Sequence, residues 1–223
     1  MVERTGGNRP ADKHEESGII RNIIFDLGNV LIRFSPEDFL DKINVAGTLK
    51  DTILTDIFAS EEWLLLDKAE LSLAEAAERI SSRSSLGHEL ISSVFSRREG
   101  TLEPIPQNVC ILPELKKRGF KLFYLSNFPF DMWEHINALQ GTEYSFFRFF
   151  DGGIISAEVG CAKPDHAIYR HLLEKYNLEA GECLFIDDLS INVDAAQTIG
   201  MKGIFTGGAV PINGLIKEAL KIS

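Results

Sequence analysis

The chain has 223 residues, of which 44% are hydrophobic and 25% are charged, as is ordinary for a globular protein with one domain and an insertion or with two small domains. Its formal net charge of −10, without any block of basic residues, argues against a nucleic-acid partner and against binding to an anionic membrane surface. Binding of a negatively charged substrate would therefore require local positive charge from a lysine or a metal ion.

The cysteine content and the apolar stretches give an expectation for the location of the protein. The three cysteines are an odd number at no metal-ligand spacing, which favours a reduced, cytoplasmic protein. No apolar stretch approaches the ~20 residues of a membrane span, and the first 18 residues lack the apolar core of a signal peptide. This opening segment, residues 1–18, is polar and turn-rich, and we interpret it as a disordered tail.

The first predicted strand is the apolar run at residues 23–25, which is too short for a stable helix and rich in β-branched side chains. It delivers Asp26 to its carboxyl end, where Gly28 and Asn29 suit a tight loop. Ligands bind at this edge of an open α/β sheet. Because an isolated aspartate there is usually a turn or cap residue, its role depends on what else reaches the same edge.

A helical segment follows the first strand. Ser35 and Pro36 predict an N-cap and the first position of a helix, and Ser72 and Glu75 have the spacing of a capping box. Apolar residues recur at helical spacing in residues 53–58 and 73–80, which predicts about 70 residues of helix without a strand after the first strand. The predicted division is a small helical domain inserted into a sheet domain: residues 34–103, within residues 19–33 and 104–223.

From residue 104 onward, strands alternate with helices, which predicts an α/β fold with a parallel sheet. The predicted strands are residues 120–125, a short strand in the aromatic segment 144–155, residues 183–186 and residues 203–206. The predicted helices are residues 111–118, 130–139, 163–176 and 190–200, and a last helix from about residue 212.

Three predicted strands end in polar residues, and parallel strands bring these residues to one crevice: Asp26, Ser126 with Asn127, and Asp187 with Asp188. Two adjacent acids after a buried strand repel each other and lose hydration, a cost that a divalent cation removes. With Asp26, the pair predicts a three-carboxylate site for Mg²⁺. Alternatively, the acid pair only caps the helix that begins near Ser190.

Three further polar residues could bind a phosphate group. Lys163 precedes a proline at a helix start and could place its ammonium beside Asp26, although a loop lysine is usually only solvated. Ser126 and Asn127 offer a hydroxyl and an amide to phosphate oxygens, although they too could be only a helix cap. Taken together and in this order, these residues indicate a phosphate site more specifically than any one does.

At these residues the sequence resembles the haloacid dehalogenase-like hydrolases over about residues 19–206. The resemblance lies in four motifs: FDLGNVL with Asp26, YLSN with Ser126, AKPD with Lys163, and FIDD with Asp187 and Asp188. It implies a Rossmann-like core, a helical cap at residues 34–103 and a phosphatase that acts on small phosphorylated metabolites.

The resemblance also implies roles for individual residues. Asp26 attacks phosphorus to form an aspartyl-phosphate, which water then hydrolyses. Ser126 and Lys163 hold the phosphate, with Asn127 and Asn29 as further candidates for substrate contacts. The implied ligands of Mg²⁺ are Asp26, the backbone carbonyl of Gly28, Asp187 and Asp188. Within the family, DLGNVL, WLLLDKAELS and FIDDLSINVDAA are similar to a bacterial branch that includes a glucose-1-phosphate phosphatase, which suggests a sugar phosphate as substrate.

One position departs from the family pattern. Most phosphatases of this family carry a second aspartate, the general acid and base, two residues after the nucleophile, where this chain has Gly28. Either turnover is lower, with a bias toward esters of more acidic leaving groups, or another residue supplies the proton.

Two other functions remain as alternatives. A hydrolytic dehalogenase would use Asp26 on carbon without a metal, but it has no use for the acid pair. A phosphate-ligand-binding protein would have the same site with little turnover. Trp63, in the predicted cap, is a candidate for the pocket wall, although a tryptophan in a leucine-rich helix is more often a core residue.

Overall fold

The computed structural model describes residues 19–222, so the predicted tail at residues 1–18 lies outside the described residues. The strands in the described residues are β1 (Asn22–Phe25), β2 (Ile32–Phe34), β3 (Leu102–Pro104), β4 (Lys121–Ser126), β5 (Gly152–Ile155), β6 (Cys183–Asp187) and β7 (Lys202–Phe205). The α-helices are α1 (Pro36–Lys42), α2 (Gly47–Ile53), α3 (Glu61–Asp67), α4 (Leu73–Arg83), α5 (His88–Phe95), α6 (Pro106–Val109), α7 (Leu112–Lys117), α8 (Phe130–Ala138), α9 (Ser156–Val159), α10 (His166–Tyr176), α11 (Ser190–Thr198) and α12 (Asn213–Leu220).

Five strands form one parallel sheet in the order β5-β4-β1-β6-β7. Ile23 and Phe25 of β1 pack on one face with residues of α7, α8 and α12, whereas Ile24 packs on the other face with α10 and α11. Because both faces are covered, β1 reads as a continuous apolar run rather than as an alternation of polar and apolar residues. The α/β fold with a parallel sheet is therefore confirmed, and β1 lies at its centre.

The helices α1 to α5, which we call the helical insertion, have a hydrophobic core of their own. This core includes Phe39, Ile57 and Ile80 among fully or nearly fully buried side chains. The Ser72 hydroxyl accepts a hydrogen bond from the N–H of Glu75 at 3.3 Å, and the Glu75 carboxylate accepts one from the N–H of Ser72 at 3.0 Å. The predicted capping box is thus present, and it begins α4.

The expectation of about 70 residues of helix without a strand after the first strand is wrong. β2 and β3 pair antiparallel at the two ends of the helical insertion, with Ile32 opposite Pro104 and Phe34 opposite Leu102. Each strand has three residues, too few for a period-two pattern to stand out in the sequence. This two-stranded ribbon of β2 and β3 therefore joins the segment that enters the helical insertion to the segment that leaves it.

The strands predicted for the sheet are all present, and their bounds differ from those expected by at most one residue in β1, β4, β6 and β7. None of the helices in the described part has the length and hydropathy of a membrane-spanning segment.

Candidate active site

The carboxyl ends of three neighbouring strands bring the candidate residues to one edge of the sheet. β1 pairs in register with β4 on one side and β6 on the other. Asp26 follows β1 directly, and Ser126 and Asp187 are the last residues of β4 and β6. All three residues are buried. The edge therefore brings together residues from the ends of the three central strands, although of these three only Asp26 lines the cavity there.

Three carboxylates meet at this edge. Asp26, Asp187 and Asp188 each present one oxygen, and these oxygens all lie within 4.8 Å of one another. Burial raises the pKa of Asp26 and of Asp188, and repulsion from the Asp187 carboxylate raises both pKa values further. The arrangement therefore carries like-charge repulsion that a bound cation would relieve.

The ammonium group of Lys163 lies between two of these carboxylates. Its Nζ is 2.8 Å from Oδ1 of Asp26 and 2.7 Å from Oδ2 of Asp187, and its side chain is 1% exposed. Burial acts to lower the pKa of Lys163, but attraction to the two carboxylates leaves that pKa above its ordinary value. Lys163 therefore stays charged, and its charge acts to lower the pKa of Asp26 against the effect of burial.

Lys163 is held in a loop by the side chain of Asn127. The helix expected from Lys163 begins at His166, because the Asp165 carboxylate caps α10 by accepting a hydrogen bond from the N–H of Ala167 at 2.9 Å. The Asn127 amide donates to the carbonyl oxygen of Lys163 at 3.0 Å and accepts from its N–H at 2.8 Å. Asn127 thus fixes the backbone of Lys163, and one amide hydrogen remains for a substrate oxygen.

Asp187 has further partners at the start of α11. Its carboxylate accepts hydrogen bonds from the N–H of Leu189 at 2.8 Å and from the Asn192 amide at 3.0 and 3.2 Å. The carbonyl of Asn192 accepts a hydrogen bond from the hydroxyl of Tyr169 at 2.9 Å. These hydrogen bonds orient Asp187 beside α11, but none of them comes from a backbone N–H of the helix, so Asp187 does not cap α11, and the same carboxylate also holds Lys163.

The loop after β1 connects Asp188 to the ribbon. Asn29 has a φ of 52°, in the left-handed region that asparagine tolerates. Its Oδ1 accepts a hydrogen bond from the N–H of Phe34 in β2 at 3.1 Å. Burial raises the pKa of Asp188, and a hydrogen bond from the Asn29 side chain opposes that rise. Asn29 thus reaches both a site carboxylate and the strand that leads into the helical insertion.

A cavity of about 220 Å³ opens at this edge of the sheet. Its polar lining comes from the strand ends and their loops, and from one helical residue: Asp26, Gly28, Asn29, Asp67, Asn127 and Asp188. Its apolar lining comes from the helical insertion, from β2 and β3, from the loops after β4 and β6, and from α8: Phe34, Trp63, Leu102, Phe128, Pro129, Met132 and Leu189. The cavity is therefore lined by both carboxylates and apolar side chains.

Trp63 belongs to the cavity wall and to an aromatic cluster. Its ring centroid lies 5.7 Å from that of Phe34 and 5.0 Å from that of Phe58. The sequence favoured a core position over the pocket wall, and the structure combines both, with the side chain half-buried.

Sequence reasoning missed Asp67, the last residue of α3, which also lines this cavity. Asp67 follows three leucines and lies four residues after Trp63, so the two side chains share one face of α3. An acid inside an apolar helical run was the signal that could have found it.

The donor set fits magnesium. Mg²⁺ prefers oxygen ligands from carboxylates, together with water and substrate phosphate oxygens. The oxygens of Asp26, Asp187 and Asp188 are close enough to share one ion, and with Lys163 the four side chains carry a net charge of about −2 when all are ionised. A divalent cation would therefore balance the charge of the site.

A comparison with known proteins shows which family has this arrangement of residues. A family model described as a haloacid dehalogenase-like hydrolase matches residues 20–200. The chain belongs to this family. One relative, the sesquiterpene phosphatase astK of Aspergillus oryzae, is 30% identical over 81% of this chain and 87% of its own length.

Solved structures of this haloacid dehalogenase (HAD) family share the fold. A HAD-like hydrolase from Porphyromonas gingivalis has a TM-score of 0.69 at 22% identity, covering 92% of this chain and 100% of its own. A HAD family enzyme from Bacteroides thetaiotaomicron, in complex with magnesium and inorganic phosphate, has a TM-score of 0.68 at 21% identity, covering 88% of this chain and 98% of its own.

The comparisons confirm the recognition of the HAD family, its Rossmann-like fold and the predicted enzyme, a phosphatase of the HAD type. Magnesium, the predicted cofactor, agrees with the donor set and with the magnesium-bound relative of this fold. The narrower resemblance to a glucose-1-phosphate phosphatase has no counterpart among the relatives described above and stays a prediction.

Proposed function

We propose that this chain is a magnesium-dependent phosphatase that hydrolyses small phosphate monoesters through an aspartyl-phosphate on Asp26. One observation carries the proposal: the buried Asp26 carboxylate contacts Lys163 at 2.8 Å and shares a cluster of oxygens with Asp187 and Asp188. A nucleophile, a fixed cation and a site for a divalent cation are the parts that phosphoryl transfer requires.

The hydrogen bonds of Asp26 fix its orientation for attack. Oδ1 accepts from Lys163 and from the N–H of Leu27 at 2.7 Å, so the carboxylate cannot rotate freely and Oδ2 is the oxygen left to bond phosphorus. Lys163 and the hydroxyl of Ser126 would bind the phosphate oxygens. When bound by Asp26, the Gly28 carbonyl, Asp187 and Asp188, magnesium would supply further positive charge to the phosphate.

The helical insertion supports a role as a cap over the site, with residues 34–103 as the predicted cap domain. Trp63 and Asp67 of α3 line the cavity opposite the strand ends. The cavity volume of about 220 Å³ is below the roughly 300–1,000 Å³ of pockets for drug-sized ligands. A covered cavity of this size suits small metabolites and excludes bulk water from the reacting atoms.

The apolar lining of the cavity favours an ester with an apolar organic group. Trp63, Phe128 and Met132 offer contact surface but few hydrogen-bonding atoms to a sugar. The similarity to a sesquiterpene phosphatase supports the same substrate class. The sugar phosphate suggested by the sequence is therefore the second candidate.

The acid pair weighs against the two other functions. A dehalogenase that uses Asp26 without metal would carry the repulsion between Asp187 and Asp188 with only Lys163 to offset it. A protein that only binds phosphate has no use for a free, oriented Oδ2 on Asp26. A cytoplasmic location also stays part of the proposal, supported by three cysteines that form no disulfide.

A panel of phosphate esters tests the proposal. Phosphate release would be measured from phenyl phosphate, isoprenyl phosphates and glucose 1-phosphate, with Mg²⁺ and then with a chelator. We expect Mg²⁺-dependent release with the highest kcat/KM on the apolar esters. Release that is equal with the chelator would contradict the metal-dependent mechanism, and a preference for glucose 1-phosphate would contradict the apolar substrate class.

A further inference from the structure

The position two residues after Asp26 leaves space beside the nucleophile. Gly28 lines the cavity and has no side chain to donate a proton. A Cβ built on Gly28 would meet only Oδ2 of Asp26 among described atoms, at an ordinary contact distance of 3.9 Å. The structure around Gly28 therefore tolerates a side chain there, and the proton donor must come from elsewhere on the cavity wall.

Asp67 is the carboxylate that enters the same cavity from the opposite side. It is the last residue of α3 and is 9% exposed. Its backbone carbonyl accepts a hydrogen bond from the hydroxyl of Ser156, which in turn accepts one from the N–H of Phe128 at 2.9 Å. These bonds fix the end of α3 to the sheet domain, so the place of Asp67 in the cavity is set by both parts of the protein.

The Asp67 carboxylate has no hydrogen-bond or salt-bridge partner among residues 19–222. Buried carboxylates are almost always paired, so an unpaired one that faces a cavity indicates a partner outside the chain. The charged groups that act on it are Asp26 and Lys163. Burial raises its pKa to about 7, repulsion from Asp26 adds to the rise, and Lys163 opposes it. Asp67 thus exchanges a proton near neutral pH, as a general acid and base must.

We propose that Asp67, supplied by the helical insertion, is the general acid and base of this phosphatase in place of the side chain that Gly28 lacks. This inference rests on the proposed function. It assigns a catalytic role to a residue outside the four family motifs, and it makes the position of α3 necessary for turnover as well as for substrate binding.

The two steps balance in atoms and charge. In the first step Asp26 Oδ2 forms a bond to phosphorus, the ester P–O bond breaks, and protonated Asp67 gives its proton to the departing oxygen, which leaves as an alcohol. In the second step a water oxygen bonds to phosphorus and the bond from phosphorus to Asp26 breaks. Asp67 takes one proton of that water, and the other stays on the released phosphate.

Leaving-group dependence in Asp67→Asn tests this role. A good leaving group such as nitrophenolate needs little proton assistance, whereas an alkoxide needs much. We expect kcat on an alkyl phosphate to fall by about 10²–10⁴, the range that general acid–base catalysis typically contributes. The fall on nitrophenyl phosphate should be far smaller and KM should change little. The folded state should survive, since asparagine replaces a buried carboxylate with a neutral group of the same shape.

Glu70→Gln is the matched control, because Glu70 is an exposed acid three residues further along that does not line the cavity. This variant should hydrolyse both esters with the kcat of the parent. Adding Gly28→Asp to Asp67→Asn should recover part of the rate lost on the alkyl ester. The role of Asp67 is overturned if the parent hydrolyses both esters but kcat of Asp67→Asn is unchanged on both, or falls by the same factor on both. A parent that hydrolyses no phosphate ester with Mg²⁺ would instead overturn the proposed function.

Discussion

The Nζ atom of Lys163 lies 2.8 Å from Oδ1 of Asp26, and both side chains are almost completely buried. Burial raises the pKa of Asp26 to about 7, and the contact with Lys163 opposes that rise and favours the ionised nucleophile. The same Nζ also binds Asp187 at 2.7 Å. Lys163 therefore couples the nucleophile to the acid pair, and the stability of the site depends on all three side chains.

Lys163→Met should destabilise the metal-free protein by about 3–5 kcal/mol, because two buried carboxylates lose their cation. Mg²⁺ should restore more stability to this variant than to the parent, since the ion would neutralise the same charges. Urea unfolding with chelator and with Mg²⁺ would measure both effects. An unchanged unfolding free energy in chelator would show that the pairing contributes little.

Asp188→Asn and Asp187→Asn should both weaken Mg²⁺ binding but should have opposite effects on the metal-free protein. Burial and repulsion from Asp187 raise the pKa of Asp188, and Asp188→Asn removes both costs of the charge, so stability should rise or stay level. Without the Asp187 charge, buried Lys163 loses a partner and stability should fall. Calorimetric titration with Mg²⁺ and thermal unfolding in chelator give the two readouts. Equal Mg²⁺ affinity in both variants and the parent would show that the acid pair does not bind the ion.

Trp63→Ala should reduce kcat/KM for apolar phosphate esters by about 10–200-fold, the range for lost apolar contacts in a specificity pocket. Esters with a very small organic group should be affected less, because they have less apolar surface to contact the Trp63 ring. Trp133→Phe is the control, since Trp133 is buried in the main core and does not line the cavity. A similar loss on small and large esters would indicate a structural effect of Trp63 rather than substrate contact.

The pKa of Asp67 predicts a pH dependence of stability. The folded protein holds the proton of Asp67 up to about pH 7, whereas the unfolded chain releases it near the ordinary pKa of 3.8. The folded state therefore binds more protons between these values, and the contribution of Asp67 to stability falls as the pH rises through this window. In chelator, the free energy of unfolding of Asp67→Asn minus that of the parent should increase by a few kcal/mol from about pH 4 to pH 8. A stability difference that is constant with pH would contradict the raised pKa.

Most of the sheet and its polar edge could be predicted from local patterns. The runs 23–25 in β1 and 183–186 in β6 are apolar without interruption because both faces of the sheet are covered, and each run is followed directly by an aspartate. Parallel strand direction then brings Asp26 and Asp187 to one edge without any further information. Caps such as that of Ser72 are equally local, since they depend on residues within one turn of a helix.

The contribution of the helical insertion to the site could not be predicted in the same way. Whether Trp63 and Asp67 reach the cavity depends on how α3 packs against the sheet domain, including the hydrogen bond from Ser156 to the Asp67 carbonyl. This contact joins residues that are 89 positions apart. The three-residue strands of the ribbon are also stabilised by pairing between distant segments, which leaves no periodic trace in the sequence.

Phosphate release by Asp26→Asn, compared with the parent in saturating Mg²⁺, tests the central claim most directly. Asparagine keeps the shape of the side chain and removes the attacking charge, so the fold and the binding of an apolar phosphate ester should survive. The rate should fall by several orders of magnitude, because covalent catalysis through the carboxylate is lost. A folded Asp26→Asn variant that hydrolyses phosphate esters at a rate near that of the parent would contradict the assignment of Asp26 as the nucleophile.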